Sequence, residues 1–331
     1  MNTSKILFMT MLILSNLMIM SSENLLGMWM GIEINMMSFI PILFKNKNTK
    51  ASESCMIYFL AQSMGSILML MMIVINSLIL VTPNWVNELI IIIISISMMI
   101  KLGAPPFHFW FPNIMESMEW MEGFILMTWQ KVGPLMVIST LINKSYIITP
   151  IMISTVIVGA IGGLNQTSMK KIMAYSSISH LGWMIMCMKF NNQLWLTYLS
   201  IYTVMIFMLT IMFKFYSSNF LNQMNFYNLS FMESTAISIS LLSLGGLPPF
   251  IGFLPKWMVI QNMILSNSFF ILLIMILTTL ITLFFYMRMV MTSFMISYSM
   301  PKWYLNKNKN NITNKIMFTN MILPASSILS Y

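Results

Sequence analysis

The sequence predicts an all-α polytopic membrane protein with about eleven transmembrane helices. Hydrophobic residues make up 58% of the 331 residues and charged residues only 8%, against about 25% charged residues in soluble proteins. A soluble fold of this length could not cover its surface with so few charges. The chain has two cysteines, Cys55 and Cys187, too few for a disulfide framework or a zinc cluster.

Apolar stretches supply the predicted helices in order. A helix needs about 20 apolar residues to cross the hydrocarbon core. The first stretch has no small-residue cleavage site, so it is predicted to be a span and not a signal peptide. The last stretch is interrupted by Pro324. The predicted spans are 6–21, 25–44, 56–81, 88–111, 122–142, 147–165, 171–188, 194–214, 234–262, 268–288 and 316–330.

The basic residues predict the orientation of these spans. Inner loops of membrane proteins carry an excess of Lys and Arg. With the N-terminus inside, twelve basic residues fall on the inner side, including Arg288 at the end of span ten, and only Lys144 and Lys189 fall outside. Cys55 and Cys187 are then predicted at opposite faces, too far apart for a disulfide. The basic stretch 306–311 becomes an inner loop, which suits anionic lipid better than nucleic acid.

Four ionisable residues are left within hydrophobic segments: Glu33, Lys101, Lys131 and Lys256. A charge at the bilayer centre costs about 2.5–3.5 kcal/mol, so such residues are expected to mark an ion or proton path. The alternative is a structural ion pair, or a lysine that reaches the interface. Burial disfavours an ammonium group and a nearby carboxylate favours it. A lysine between these influences can change its protonation when one nearby charge moves, as a proton relay requires.

Two helix breaks accompany the buried lysines. Prolines break helices, and inside a membrane a break is tolerated only against protein or a water-filled cavity. The two motifs, APPFHFW and LPPFIGFLPKW, lie 143 residues and five predicted spans apart, so the halves are expected to run in opposite directions. This pattern indicates an inverted-repeat transporter domain over 1–300, with repeats near 1–142 and 147–290 and an inner loop and last helix in 301–331. The breaks near 101–106 and 245–256 contain Gly103, Pro105, Pro106, Gly245, Gly246, Pro248 and Pro249.

The two histidines are candidate relay residues. His108 follows the first break and His180 lies in span seven. Histidine titrates near neutral pH and suits proton transfer, although a hydrogen-bonded packing role is equally compatible with either position. The sequence has no Gly-rich phosphate loop, CxxC motif or nucleophile elbow, and no metal site is predicted.

Five blocks of sequence, taken together, resemble a known family. They are 31–43 (GIEINMMSFIPIL), 100–112 (IKLGAPPFHFWFP), 128–135 (TWQKVGPL), 162–184 (GGLNQTSMKKIMAYSSISHLGWM) and 244–257 (LGGLPPFIGFLPKW). They are similar to the antiporter-like membrane subunits of mitochondrial NADH–ubiquinone oxidoreductase, respiratory complex I. The 42 methionines fit an AT-rich gene that is read with a mitochondrial code.

The resemblance implies two inverted five-helix repeats and a role in proton translocation. It implies that Glu33 and Lys101 form a coupled pair, that Lys131 is a central relay lysine and that Lys256 is the terminal one. His108 and His180 match family histidines. The family has no redox centre, so no cofactor is expected in this chain. NADH, FMN, iron–sulfur clusters and ubiquinone are expected elsewhere in the complex.

The resemblance also implies a location and partners. These are the mitochondrial inner membrane, with the N-terminus on the matrix side, other complex I membrane subunits including neighbouring antiporter-like chains, and phospholipids such as cardiolipin. Two alternatives remain at this point. A stand-alone cation/proton antiporter would use the same charges, and a purely structural spacer would tolerate neutral replacements of Glu33, Lys101 and Lys131.

Overall fold

The chain folds almost entirely into helices. The computed structural model describes residues 3–44, 49–78, 84–141, 148–221, 223, 231–297, 317 and 319–320. Within these ranges no strand forms beyond an isolated bridge between Ser168 and Phe220, which confirms the all-α class. The helices are α1 (Thr3–Ser21), α2 (Leu25–Leu43), α3 (Thr49–Leu78), α4 (Asn84–Leu102), α5 (Trp110–Ser117), α6 (Trp120–Met127), α7 (Trp129–Leu141), α8 (Ile148–Leu164), α9 (Met169–Phe190), α10 (Leu194–Phe215), α11 (Phe231–Gly245), α12 (Phe253–Leu265) and α13 (Phe269–Ser297).

The ten predicted spans before residue 300 each correspond to one helix or to one broken pair. The expected breaks separate α4 from α5 and α11 from α12. The prediction of one continuous helix over 122–142 is wrong, because α6 and α7 are separated at Thr128. The predicted span 316–330 lies outside the described residues except for 317 and 319–320, and the basic stretch 306–311 lies outside them entirely.

Six stretches of the described chain are long and apolar enough to cross a membrane. They are α1, α2, α3, α6 together with α7, α10, and residues Phe269–Phe294 of α13. Many of their large apolar side chains are exposed, such as Leu60 at 59% and Leu280 at 59%. An exposed apolar face of this extent is suited to contact with lipid or with another membrane subunit.

The chain divides into two compact units, 1–155 and 156–331, with the boundary inside α8. In the first unit, α1 packs on α2, and α3 packs on both α2 and α4. Gly31 of α2 makes the first contact close, since a Cβ there would lie 3.1 Å from the Ser15 carbonyl oxygen of α1. Helix α7 packs against α1, α2 and α4, so it lies at the centre of this unit.

In the second unit, α9 is the central helix and is buried along most of its length. Helices α10, α12 and α13 pack around it. Gly159 of α8 approaches α9 so closely that a Cβ would lie 2.6 Å from the Ser179 backbone nitrogen. Small residues at such contacts are a common means of packing membrane helices.

Arg288 has a structural role that its predicted position did not indicate. It was expected at the end of a span over 268–288, but α13 continues to Ser297. The guanidinium group donates to the carbonyl oxygens of Leu164 and Gln166, both at 2.7 Å. It therefore satisfies carbonyl groups at the C-terminal end of α8, which have no partner within that helix.

Candidate functional site

The first helix break has a defined hydrogen-bond pattern at the end of α4. Gly103 adopts a positive φ of 68°, a conformation that glycine accepts readily. Its amide donates to the Ile100 carbonyl at 3.2 Å, and the Ala104 amide donates to the Met99 carbonyl at 3.0 Å. These two bonds form a Schellman motif, which ends the helix and caps its carbonyl groups. Pro105–Pro106, joined by a cis bond, follows.

The second break repeats this pattern 143 residues later. Gly246 has a φ of 79°, and its amide donates to the Ser243 carbonyl at 3.0 Å. The Leu247 amide donates to the Leu242 carbonyl at 3.4 Å, and a cis Pro248–Pro249 bond follows. Helices α5 and α12 also begin 143 residues apart. The two breaks are therefore the same local backbone structure.

Lys101 lies in the last turn of α4 and is 5% exposed. Its side chain crosses Gly65 of α3, where a Cβ would lie 2.8 Å from Lys101 Cγ. Its backbone carbonyl accepts a hydrogen bond from Gln62 Nε2 at 3.0 Å. Helix α3 thus provides both the space for the lysine side chain and the donor for a carbonyl at the end of α4.

Lys131 lies in the first turn of α7 and is 2% exposed. Its Nζ is 5.7 Å from the centroid of the Phe111 ring, within reach of a cation–π interaction. Lys101 and Lys131 line the same cavity, which contains about 250 Å³ of empty space. Tyr58, Gln62 and Gln130 supply further polar groups to its wall. Two of the predicted site residues are therefore brought together in one polar cavity.

The discontinuity between α6 and α7 occurs just before Lys131. Pro134 has no amide hydrogen, so it cannot donate to the carbonyl one turn earlier. The Thr128 hydroxyl donates to the Phe124 carbonyl at 2.7 Å, a side-chain bond that tends to bend helices. Together these features explain why the helix is interrupted at Thr128.

Two buried asparagines hold the interrupted segment. Asn16 of α1 donates through Nδ2 to the Trp129 carbonyl at 3.0 Å. Asn35 of α2 donates to Asn16 Oδ1 at 3.0 Å, and Trp129 Nε1 donates to the Leu12 carbonyl at 3.1 Å. We call Asn16, Asn35 and Trp129 the asparagine clamp. It fixes the backbone two residues before Lys131, and sequence reasoning did not identify it.

Glu33 lies near Lys101 without contacting it. The side chain is half-buried on α2, close enough to act electrostatically on Lys101 and Tyr58. These two described side chains form no ion pair within 4.0 Å. A second buried carboxylate, Glu122, was expected only near a span end. It is 7% exposed, and its Oε2 accepts the Glu119 amide at 3.1 Å in a capping box at the start of α6.

Lys256 has a different environment in the second unit. It lies in the first turn of α12, is 6% exposed, and donates through Nζ to the Gly245 carbonyl at 2.7 Å. A Cβ on Gly246 would lie 2.7 Å from Lys256 Cδ. The ammonium group is therefore held against the C-terminal end of α11, where the helix dipole favours a positive charge.

The two histidines lie in separate units. His108 is half-buried in the first break, and its ring centroid is 4.2 Å from that of Phe109. His180 is 4% exposed, and its Nδ1 is 2.8 Å from Tyr198 Oη. The Tyr202 ring centroid is 5.0 Å from the His180 ring. The sequence signalled the histidines but gave no indication of these tyrosine partners on α10.

Neither a metal site nor a disulfide is formed by the described residues. No group of three His, Cys, Asp or Glu side chains in these ranges could hold a metal ion. Cys55 and Cys187 are both buried as free thiols.

A helical membrane protein with two matching helix breaks, each beside a buried lysine, belongs to the class of antiporter-like proteins. The family model described as NADH:quinone oxidoreductase/Mrp antiporter, TM, matches residues 22–282. The chain belongs to this family.

Curated relatives match along almost the whole chain. NADH-ubiquinone oxidoreductase chain 2 of Anopheles gambiae is 46% identical over 97% of this chain and 94% of its own length. The protein of the same name from Bos taurus is 36% identical over 98% of this chain and 97% of its own length.

Solved structures share the fold. A chain of respiratory complex I from Thermus thermophilus superposes with a TM-score of 0.84 at 19% identity, covering 99% of this chain and 78% of that one. A chain of the Mrp complex from Dietzia gives 0.74 at 12% identity, covering 85% of this chain and 59% of that one.

Proposed function

We propose that this chain is a proton-translocating membrane subunit of respiratory NADH:ubiquinone oxidoreductase, and that its buried lysines relay protons. Lys101 and Lys131 share one polar cavity beside a helix break, and this observation carries the proposal. Two ammonium groups in so small a space repel each other. Protonation of one lysine therefore opposes protonation of the other, which makes the pair suited to passing a proton.

Glu33 is assigned the control of the proton on Lys101. A carboxylate on α2 stabilises the Lys101 ammonium group through space, because opposite charges favour the ionised form. When that carboxylate is neutralised, the Lys101 ammonium loses this stabilisation and releases its proton. Water in the cavity accepts the proton, and the neutral amine of Lys131 takes one up. Lys101 thereby becomes neutral and Lys131 becomes charged.

Lys256, His108 and His180 are assigned to the relay by family resemblance. The Lys256 ammonium donates to the Gly245 carbonyl, so a proton that leaves Lys256 must overcome this contact. The hydrogen bond between His180 and Tyr198 provides a buried pair through which a proton can move. The terminal position of Lys256 in the relay is part of this proposal.

The partners and cofactors follow from the same reading. The chain would function among other membrane subunits, including neighbouring antiporter-like chains, in the mitochondrial inner membrane with its N-terminus on the matrix side. Phospholipids such as cardiolipin would cover its exposed apolar faces. The redox chemistry of NADH, FMN, iron–sulfur clusters and ubiquinone would belong to other subunits of the complex.

The test is Lys101→Ala in the assembled complex, with Lys189→Ala as the matched control because Lys189 is exposed. NADH oxidation and proton release are measured together in closed inner-membrane vesicles. Lys101→Ala is expected to lower the number of protons pumped per NADH, while Lys189→Ala leaves it unchanged. Normal pumping by an assembled Lys101→Ala complex would refute the role of Lys101. Ion-dependent proton exchange by the isolated chain in liposomes would favour a stand-alone antiporter.

A further inference from the structure

Gln130 presents an unused hydrogen-bond donor in the cavity between Lys101 and Lys131. It immediately precedes Lys131 and lines the same cavity as both lysines. Its Oε1 accepts a hydrogen bond from Tyr58 Oη at 3.1 Å. Its Nε2 is buried and has no hydrogen-bond partner within the described part of the chain. A buried amide donor without a partner is costly, so a ligand for this group is expected.

The other polar groups of the wall have different tasks. Gln62 uses its Nε2 to hold the Lys101 carbonyl. Tyr58 is 1% exposed, and its hydroxyl fixes which way the Gln130 amide faces. The Gln130 Nε2 group is therefore a donor that neither a helix end nor a side chain occupies. A water molecule can fill such a role, since buried waters typically bind polar groups that lack other partners.

We propose that Gln130 is a positioning residue that holds a water molecule between Lys101 and Lys131, with Tyr58 orienting its amide. The inference rests on the proposed function. Gln130 Nε2 donates to the water oxygen. That water accepts a proton from the Lys101 ammonium and gives one of its own protons to the neutral Lys131 amine. The water and the Gln130 amide are unchanged at the end of the step, and one proton has moved from Lys101 to Lys131.

The test compares Gln130→Leu, Gln130→Ser and Tyr58→Phe in the assembled complex, with the exposed Gln261→Leu of α12 as control. Leucine fills the space without a hydrogen-bonding group, whereas serine leaves room for water and retains a hydroxyl. We expect Gln130→Leu to slow coupled NADH oxidation about fivefold or more and to raise its solvent deuterium isotope effect. Gln130→Ser should keep most of the coupled rate. Tyr58→Phe should give an intermediate loss, because the amide remains but is free to rotate.

The outcomes separate this inference from the proposed function. A Gln130→Leu complex with the normal rate and isotope effect would overturn the inference, as would a Gln130→Ser complex as slow as Gln130→Leu. Lys131→Leu is measured in the same vesicles. If Lys131→Leu loses pumping while Gln130→Leu is normal, only the water-positioning role fails. If Lys131→Leu pumps normally, the proposed function itself fails. If Gln130→Leu does not assemble, Tyr58→Phe and Gln130→Ser decide.

Discussion

The two helix breaks share one backbone structure but place their lysines on opposite sides of it. Lys101 precedes Gly103 and lies in a cavity with Lys131 and three neutral polar side chains. Lys256 follows Gly246 and donates to the last carbonyl of the helix before the break. Counted by the repeat of 143 residues, the position of Lys256 is occupied in the first unit by Asn113, which is exposed.

The carbonyl groups at the two helix ends show what this difference means. In the first unit, neutral donors cap α4, since Gln62 binds the Lys101 carbonyl and Trp110 Nε1 binds the Ile100 carbonyl. In the second unit, the Lys256 ammonium caps α11. A lysine that does not cap a helix can exchange its proton with cavity water. A lysine that caps one is tied to the stability of the break.

The comparison also explains one glycine. Trp110 corresponds to Phe253, which has no donor for the equivalent carbonyl, that of Ser243. There the backbone itself approaches, because a Cβ on Gly252 would overlap the Ser243 carbonyl oxygen. The residue that corresponds to Gly252 is Phe109, which is 70% exposed. A side chain is therefore tolerated at this position only in the first break.

The largest expected effect comes from exchanging side chains at this pair of positions. Gly252→Ala should destabilise the second unit by more than about 4 kcal/mol, because the new Cβ can be placed only by moving backbone. Phe109→Ala should change stability by less than about 1 kcal/mol. The amount of assembled complex, measured on native gels, reports both variants. Normal assembly of Gly252→Ala would contradict the close contact.

Lys256→Met and Lys101→Met test the two lysine environments directly. Lys256→Met should lower pumping and also destabilise the break by about 1–3 kcal/mol, since the Gly245 carbonyl loses its donor. Lys101→Met should lower pumping with little loss of stability, because Gln62 still binds the Lys101 carbonyl. Protons per NADH and the thermal transition of the purified complex are measured together. Equal thermal losses for both variants would show that the distinction is wrong.

The asparagine clamp is the next smaller effect. Asn16→Leu should cost about 1–3 kcal/mol, because the buried Trp129 carbonyl and the Asn35 amide both lose a partner. The exposed Asn113→Leu is the control. Thermal stability and protons per NADH are the measurements. A fully stable and fully pumping Asn16→Leu complex would mean that the clamp does not position Lys131.

The smallest expected effect concerns the neutral caps of the first break. Gln62→Leu and Trp110→Phe each remove one hydrogen bond to a carbonyl of α4, at about 0.5–1.5 kcal/mol apiece. Because neither group carries charge, both variants should retain pumping. Thermal stability should fall slightly in each. A loss of pumping as large as that of Lys101→Met would mean that these residues belong to the relay.

Much of this architecture could be predicted because its signals are local. Gly103, Pro105 and Pro106, with their counterparts in the second motif, mark both breaks through backbone chemistry alone. Lys101, Lys131 and Lys256 were expected to be buried because each lies within an apolar run, and each is at most 6% exposed.

The remaining features depend on contacts between distant residues. The interruption at Thr128 has no Gly or Pro immediately before it, and the Asn16 group that stabilises it lies 113 residues earlier in the chain. The bond from Tyr58 to Gln130 spans 72 residues. Glu122 was expected near a span end, but only the structure shows its burial in the capping box of α6. Such pairings follow from helix packing and cannot be read from spacing.

The central claim is that water connects the buried lysines of the first unit. It is tested most directly by a density map of the assembled complex at a resolution that shows ordered water. The account predicts at least one water within hydrogen-bonding distance of Gln130 Nε2 and between the Nζ atoms of Lys101 and Lys131. A cavity closed by packed hydrocarbon in every state of the catalytic cycle, with the two ammonium groups separated by it, would contradict the account.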